Sequence, residues 1–410
     1  MDEHTPKKPK ILPSGPEPKK PPAQKPPERP KRKLPRFLVH VLATLIVLAV
    51  ALSLVAVVAF RDSLNLDSVK RWFTYRSLIR SDNGRAESFT YDGDLTDTFA
   101  VLDGDLLVCS RNAISLYSGS GTQYINQSVG MENPVVNTNG SLAVVYDAGG
   151  SSLYILGQRT LVWSVQDLES ILSARLNRNG QLTVVTQASG YRGMVTVYDA
   201  AYSPIMHIDL SSAFVMDAAL SDDGHTLAIL TVGQTDGAFS TNLELYDMDY
   251  ASGEYTPDFS CQLGGGVVLE ARHTASAVWS LGDRGLTVTG HDGRSSGVSW
   301  ADKHLRRYTL DGDGFAAALL GKYRAGSQAE LWVVDGQGQR NTLHLNEQVM
   351  SISAAGRYLA VLTSDRLDIY TDKLELYDTL EGTQGARNVL LMPDGSAILI
   401  SADSAGFYVP

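Results

Sequence analysis

The sequence predicts an all-β fold, a β-propeller of eight blades, and three observations carry that prediction. Asx-Gly turns recur at Asp103-Gly104, Asn139-Gly140, Asn179-Gly180, Asp223-Gly224, Asp313-Gly314 and Asp394-Gly395, with Ala355-Gly356 in an equivalent place. The steps between these glycines are 36, 40, 44, 90, 42 and 39 residues, the 90 being two steps with one marker missing. A period of about 40 residues built from short strands is the signature of a propeller. A second marker runs in phase with the first: Tyr117, Tyr198-Asp199, Tyr246-Asp247, Val334-Asp335, Tyr370 and Tyr408 close the third strand of their units. Between markers, apolar residues alternate or run continuously, as strands buried between neighbouring blades require. A sandwich with accidental turn spacing would not explain two markers in phase.

The units fall near 97–130, 131–170, 171–212, 213–263, 264–301, 302–346, 347–380 and 387–410, with seven blades as the alternative count. In each, the Asx-Gly pair supplies the positive φ that a tight hairpin demands. The fifth unit lacks this pair, and Thr274–Leu281 is its expected second strand. The last unit has room for three strands only, so Glu87–Tyr91 is expected to supply the fourth. Closing the ring with strands from both ends removes the exposed edges that invite aggregation.

Ahead of the repeats the composition changes sharply. Residues 1–36 hold eleven Lys/Arg against four Asp/Glu and eleven of the sixteen prolines. So little apolar surface cannot offset ordering entropy, which predicts a disordered basic, Pro-rich tail. Residues 37–60 carry no charged side chain apart from His40 near the start. As a helix they would cover ~36 Å, enough to cross a hydrocarbon core of ~30 Å. Lys31, Arg32, Lys33 and Arg36 abut the N-terminal end, which places the tail in the cytoplasm and residues after 61 outside, at the cell membrane. A cleavable signal peptide is the rival reading, but signal cores are shorter and lack so long a basic leader. The tail's charge fits this topology and contact with anionic lipid better than nucleic acid.

Residues 61–85 link the anchor to the propeller, which spans 86–410. Asp67 or Ser68 is expected to cap a short helix, with Val69, Trp72, Phe73 and Ile79 on one face, Lys70, Arg71, Arg76 and Arg80 elsewhere, and Gly84 at its end. This helix lies either at the membrane interface or packed under the propeller. The two cysteines, Cys109 and Cys261, stand about three repeats apart and do not make a disulfide framework.

Motifs with chemistry are few. Leu310-Asp311-Gly312-Asp313-Gly314 and Ser221-Asp222-Asp223-Gly224 lack the ligand spacing and terminal Glu of a calcium loop. Gly293-Arg294-Ser295-Ser296-Gly297 matches a nucleophile elbow in letters, but no helix is expected after it. The eight histidines are scattered, none with the close spacing of a zinc site. No cofactor loop or metal site is expected. The candidate ligand- or partner-binding residues are therefore those of the loops after the second strands: Tyr191, Arg192, Asp236, Phe239, Arg284, Tyr323 and Arg324. Tyr and Arg on a rigid scaffold have the composition of recognition hot spots. The insertion Gly233–Thr241 is the most distinctive of these loops.

The chain resembles an uncharacterised bacterial family of single-pass membrane proteins with an outer WD40/YVTN-like propeller, catalogued as a domain of unknown function. The resemblance rests on the anchor, Asp67-Ser68-Val69-Lys70-Arg71-Trp72-Phe73, Asn133-Pro134-Val135, Val197-Tyr198-Asp199 and Ala219-Leu220-Ser221-Asp222-Asp223-Gly224. It implies no catalytic or cofactor residues. Quinone-dependent propeller dehydrogenases carry regular tryptophan motifs, whereas Trp163, Trp279, Trp300 and Trp332 fall irregularly here. The function expected is a tethered extracytoplasmic scaffold or sensor for an envelope protein, peptide or glycan, and not an enzyme. The alternative is a hydrolase or oxidoreductase with its site at the channel mouth.

Overall fold

Apolar strands separated by one Gly-bearing turn per unit pair with their sequence neighbours, and every sheet in the molecule follows from that. The computed structural model describes Asp67, Arg71, Thr74, Tyr75, Leu78 and residues 81–94, 96–235, 237–248, 255–274 and 276–410. Among these, the strands form eight four-stranded antiparallel sheets. Seven consist of four consecutive strands, beginning at Thr98, Pro134, Ile171, Phe214, Val268, His304 and Val349. Blade 8 combines Asn388–Leu391, Ala397–Ile400 and Ser404–Tyr408 with Phe89–Thr90 from before blade 1. The count is eight, with the ring closed from both ends as the sequence predicts.

The expected glycines take up the left-handed backbone, from Gly104 (φ 82°) to Gly395 (φ 85°). All lie between the first and second strands, and so on one face of the ring. This hairpin face also carries the turns after the third strands. The opposite, connection face carries the loops after the second and fourth strands. Hairpin-face turns are stitched from blade to blade. Asn139 Nδ2 donates to the Asn177 carbonyl (2.8 Å), and Asn177 Nδ2 donates to that of Ser221 (2.9 Å).

The core is divided among the blade interfaces. Leu106 and Val108 pack toward blade 8, while their neighbours Leu107 and Cys109 pack toward blade 2. Val144 faces blade 3, and Ala143 and Val145 face blade 1. Period-two alternation between two buried faces is why the middle strands read as unbroken apolar runs. Cys109 and Cys261 serve different interfaces, and both are free thiols.

The segment ahead of the ring departs from expectation. Asp67, Arg71 and Thr74 are helical, and Arg71 lies on the buried side rather than among solvated cations. Its guanidinium donates to the Asp394 carbonyl and, at 2.7 Å, to the Tyr377 hydroxyl. Tyr75 Oη bonds Ser396 Oγ (2.9 Å), and the Tyr358 hydroxyl donates to Asp67 Oδ2 (2.9 Å). Burial of Arg71 is tolerated because blade 8 supplies a carbonyl and blade 7 a hydroxyl for its N–H groups. Val69, Trp72, Phe73 and Ile79 lie outside the described residues. Gly84 does not end this helix but sits in a later turn, where Gly84 N donates to Ser81 O (3.0 Å). From there Ala86 N donates to Phe407 O and Val409 N donates to Gly84 O, extending the seam beyond its two-residue strand. Among the described residues no helix is long and apolar enough to cross a membrane; the expected span, 37–60, and the tail before it lie outside them.

Gly233–Thr241 is a second departure. Rather than an irregular loop, it extends the second and third strands of blade 4, Thr226–Thr235 and Ala238–Asp247, as a paired hairpin. The inner strand of that blade begins at Phe214, opposite Val232, so three further residue pairs stand clear of it. At ~3.4 Å per residue the arm projects about 10 Å.

The strap on blades 7 and 8 yields a prediction. Arg71→Ala leaves the Asp394 carbonyl without this donor and removes a charged hydrogen bond to Tyr377. It should lower unfolding stability by about 2–3 kcal/mol in urea titration of the purified chain. Arg178→Ala, on an exposed pair with Asp222, should cost below ~0.5 kcal/mol.

Candidate functional site at the connection face

The inner strands of blades 3 to 7 share an irregularity close to the connection face. Their pairing with the second strand shifts by one residue at Leu172, Met216, Leu269, Arg306 and Met350. Such bulges re-aim the extra side chain out of the ladder. Met216 is 40% exposed and Leu269 52%, and Phe214 at the head of its strand is 53% exposed. These residues line the channel mouth.

Around them stand the residues predicted from sequence. Tyr191 and Arg192 close the loop before Gly193–Tyr198, and the Arg192 guanidinium lies 4.5 Å from the centre of the Phe214 ring. That contact joins blades 3 and 4. Phe239 rides on the projecting arm and is 67% exposed. Asp236, at the arm's tip, lies outside the described residues. Arg284 caps the second hairpin of blade 5, with its side chain exposed and only a 4.0 Å approach to Asp283. Tyr323 and Arg324 belong to the corresponding loop of blade 6, where Tyr323 is also 67% exposed.

That last loop is held from beneath by the bulge residue Arg306. Its guanidinium donates to the carbonyls of Tyr323 (3.0 Å), Gly326 (2.8 Å) and Ala325 (3.3 Å). A side chain at Gly321 would collide with this guanidinium. The structure thus places six predicted residues on one face of four consecutive blades. It joins Tyr191 and Arg192 to Phe214, and it brings no direct contact between that group and Arg284 or Tyr323. Sequence reasoning missed Phe214, Met216, Leu269 and Arg306. Their only signal was an apolar or basic residue out of alternation at the start of an inner strand.

Below the mouth the channel turns polar. Asp217 accepts from Ser173 Oγ (2.7 Å) and from Arg175 Nη2 (2.8 Å), while Arg175 Nη1 reaches Asn137 Oδ1 (3.3 Å). Glu270 stands 3.9 Å from Arg175. Burial pushes its carboxyl above the usual range, partly offset by the Arg175 charge. This cluster ties blades 2, 3, 4 and 5 together at the axis. Both acidic groups converge on Arg175. Ser295 and Ser296, from the elbow-like motif, bond Thr289 Oγ1 and the Gly336 carbonyl within ordinary strands.

Two further places hold polar groups. A cavity of about 780 Å³ opens between the connection loops of blades 1 and 2, lined by Asn133, Asp147, Gly149, Ser151 and Gln166 among others. Asp147 Oδ1 accepts from the Glu132 and Asn133 amides, which fixes the loop wall. On the hairpin side of blade 5, His273 Nε2 and His291 Nε2 are 2.8 Å apart. The ring centres are 5.0 Å apart, so the nitrogens face each other along one line. That is the geometry of a hydrogen bond, too close for an ion between them. Among the described residues no group of three or more His, Cys, Asp or Glu side chains could hold a metal ion.

The Ala219 carbonyl can only accept, so neutral His273 carries its proton on Nδ1 (2.8 Å), and Nε2 accepts from His291. Burial, more than the opposing histidine, pushes His273 down to about 4. The unfolded chain takes up this proton near pH 6.5 and the folded chain only near pH 4. The pair's contribution is therefore complete above pH 6.5 and declines as pH falls toward 4, by up to roughly 3 kcal/mol. Urea midpoints should fall over this window, and the His273 ring resonances should stay flat above pH 5; titration near 6.5 would refute the assignment. Arg306→Ala, in turn, should raise amide exchange at residues 322–328 at least tenfold while leaving Phe89–Thr90 protected.

The fold has wide structural company. The C-terminal WD40 domain of Sif2 superposes with a TM-score of 0.55 at 13% identity, covering 80% of this chain and 98% of that one. BamB from Moraxella catarrhalis gives a TM-score of 0.47 at 15% identity, covering 79% and 99%. At these identities the likeness concerns the fold alone. No curated protein matches the sequence. A family of unknown function, DUF5711, matches residues 85–264, the stretch from the closing strand through blade 4, and this chain is similar to that family there.

Proposed function

We propose that this protein is a membrane-tethered, extracytoplasmic propeller that acts as a non-catalytic binding scaffold or sensor. It engages an envelope protein, peptide or glycan through the connection face of blades 3 to 6. One observation carries the reading. Ten large apolar side chains are exposed among the described residues, and six of them, Tyr191, Phe214, Met216, Phe239, Leu269 and Tyr323, gather at this face. Apolar exposure concentrated on one face favours an interaction site, whereas residues scattered singly carry no such signal. The strap occupies the hairpin face and leaves this one uncovered by the described chain. The apolar stretch 37–60 with its basic flank supports the tether and the outward orientation.

A photo-crosslinking residue at Phe239 in the full chain in its membrane should capture a discrete partner band. The same probe at Leu376, 60% exposed but on the hairpin face, should capture none. Equal labelling from both positions would overturn the proposal.

A further inference from the structure

The connection face of blades 3 to 6 differs in charge from the rest of the ring. Its loops carry five Lys/Arg against four Asp/Glu, counted between consecutive strands. The connection loops of blades 7, 8, 1 and 2 carry two against eight, and the hairpin-face turns five against thirteen. The stretch of loops that is not acidic therefore coincides with the exposed apolar side chains grouped there among the described residues. On this face Arg284 has only a 4.0 Å approach to Asp283, Arg192 lies over the Phe214 ring, and Lys303 approaches Glu330 at 3.7 Å. Arg324 is exposed on a loop that Arg306 holds in place, so its presentation is set in advance.

Guanidinium groups around apolar anchors locally favour carboxylates over ammonium groups, and the acidic remainder of the ring confines that preference to this face. Resting on the scaffold reading above, we infer that the partner is an acidic polypeptide segment. It presents bulky apolar side chains to Phe214, Met216 and Leu269 and carboxylates to Arg192, Arg284 and Arg324. The arm bearing Phe239 stands beside this track and gives a second apolar contact about 10 Å above it. Rigid aromatic anchors with unsaturated arginines at their edge are the make-up of a binding hot spot.

Three fluorescent twelve-residue peptides test the inference on the full chain in nanodiscs. One places Trp and Leu among glutamates, one places the same anchors among lysines, and one has glutamates among serines only. The first should bind at least tenfold tighter than either of the others and weaken as salt rises. The triple variant Arg192→Ala, Arg284→Ala, Arg324→Ala, whose sites are exposed and leave the fold intact, should lose at least tenfold. Equal or tighter binding of the lysine peptide, equal binding of the serine peptide, no binding of any, or an unchanged triple variant would each overturn it. If the Phe239 probe still captures a partner in that event, the scaffold reading stands and only the acidic partner falls.

Discussion

Every blade in this ring is apolar on both faces, and that requirement governs the rest of the molecule. A sheet with Leu106 and Val108 on one side and Leu107 and Cys109 on the other is stable only between two neighbours. Eight such sheets leave no free face only if blade 8 meets blade 1, so the fold depends on its seam. The seam joins the chain's last three strands to a strand of two residues, Phe89–Thr90. So short a ladder gives little by itself. The backbone bonds on either side, at Gly84, Ala86 and Tyr91, lengthen it, and the strap at Arg71 and Tyr75 covers the neighbouring hairpin. Arginine suits that place because the Asp394 carbonyl points out of a turn, where no strand can supply a donor.

Much of this was legible because the repeat writes the same physical demand eight times. A positive φ is needed at the hairpin after each first strand, and glycine answers it at little steric cost. That is why blade limits, the missing turn of the fifth unit and the strand from before blade 1 could all be placed from sequence. The strap was less legible, since it occurs once. An arginine in an amphipathic stretch normally belongs with solvent, and a hydroxyl and a carbonyl supplied some 300 residues away help reverse this for Arg71. Likewise Gly233–Thr241 looks like a loop because its glycines, serine and threonines interrupt the apolar pattern. Three of its residue pairs extend beyond the inner strand, so backbone pairing persists there without the apolar alternation that usually signals a strand.

The bulges explain why the channel mouth was only half visible. A strand in register sends alternate residues to the core and the channel, and a reader assigns them by parity. One extra residue in each of five inner strands breaks parity near the mouth, so Met216 and Leu269, which would otherwise count as core, turn outward. The same step sets Asp217 and Glu270 one level lower, facing the axis. An apolar mouth above a charged floor thus follows from a single backbone device. Phe214 and Arg306 then couple that mouth to the loops that were predicted, one by stacking under Arg192 and the other by gripping the Tyr323–Gly326 backbone.

The two faces also differ in how far the fold dictates their sequence. Hairpin-face turns must bend sharply and touch their neighbours: Asp103 N donates to Gly140 O, Asp313 N to Gly356 O, and Arg272 to the Leu310 carbonyl. Glycine, asparagine and aspartate there have structural work, and their acidity is partly a by-product of it. Connection loops on blades 3 to 6 are less uniform. They range from the two residues between Gly282 and Gly285 to the seven between Gly321 and Ala329. Exposed apolar side chains at such places are not called for by turn geometry, and exposed aromatics carry a standing risk of aggregation. Exposed apolar composition that turn geometry does not require, at a place where it is hazardous, is the physical ground for proposing this face, rather than the turns that announce the fold, as the binding surface.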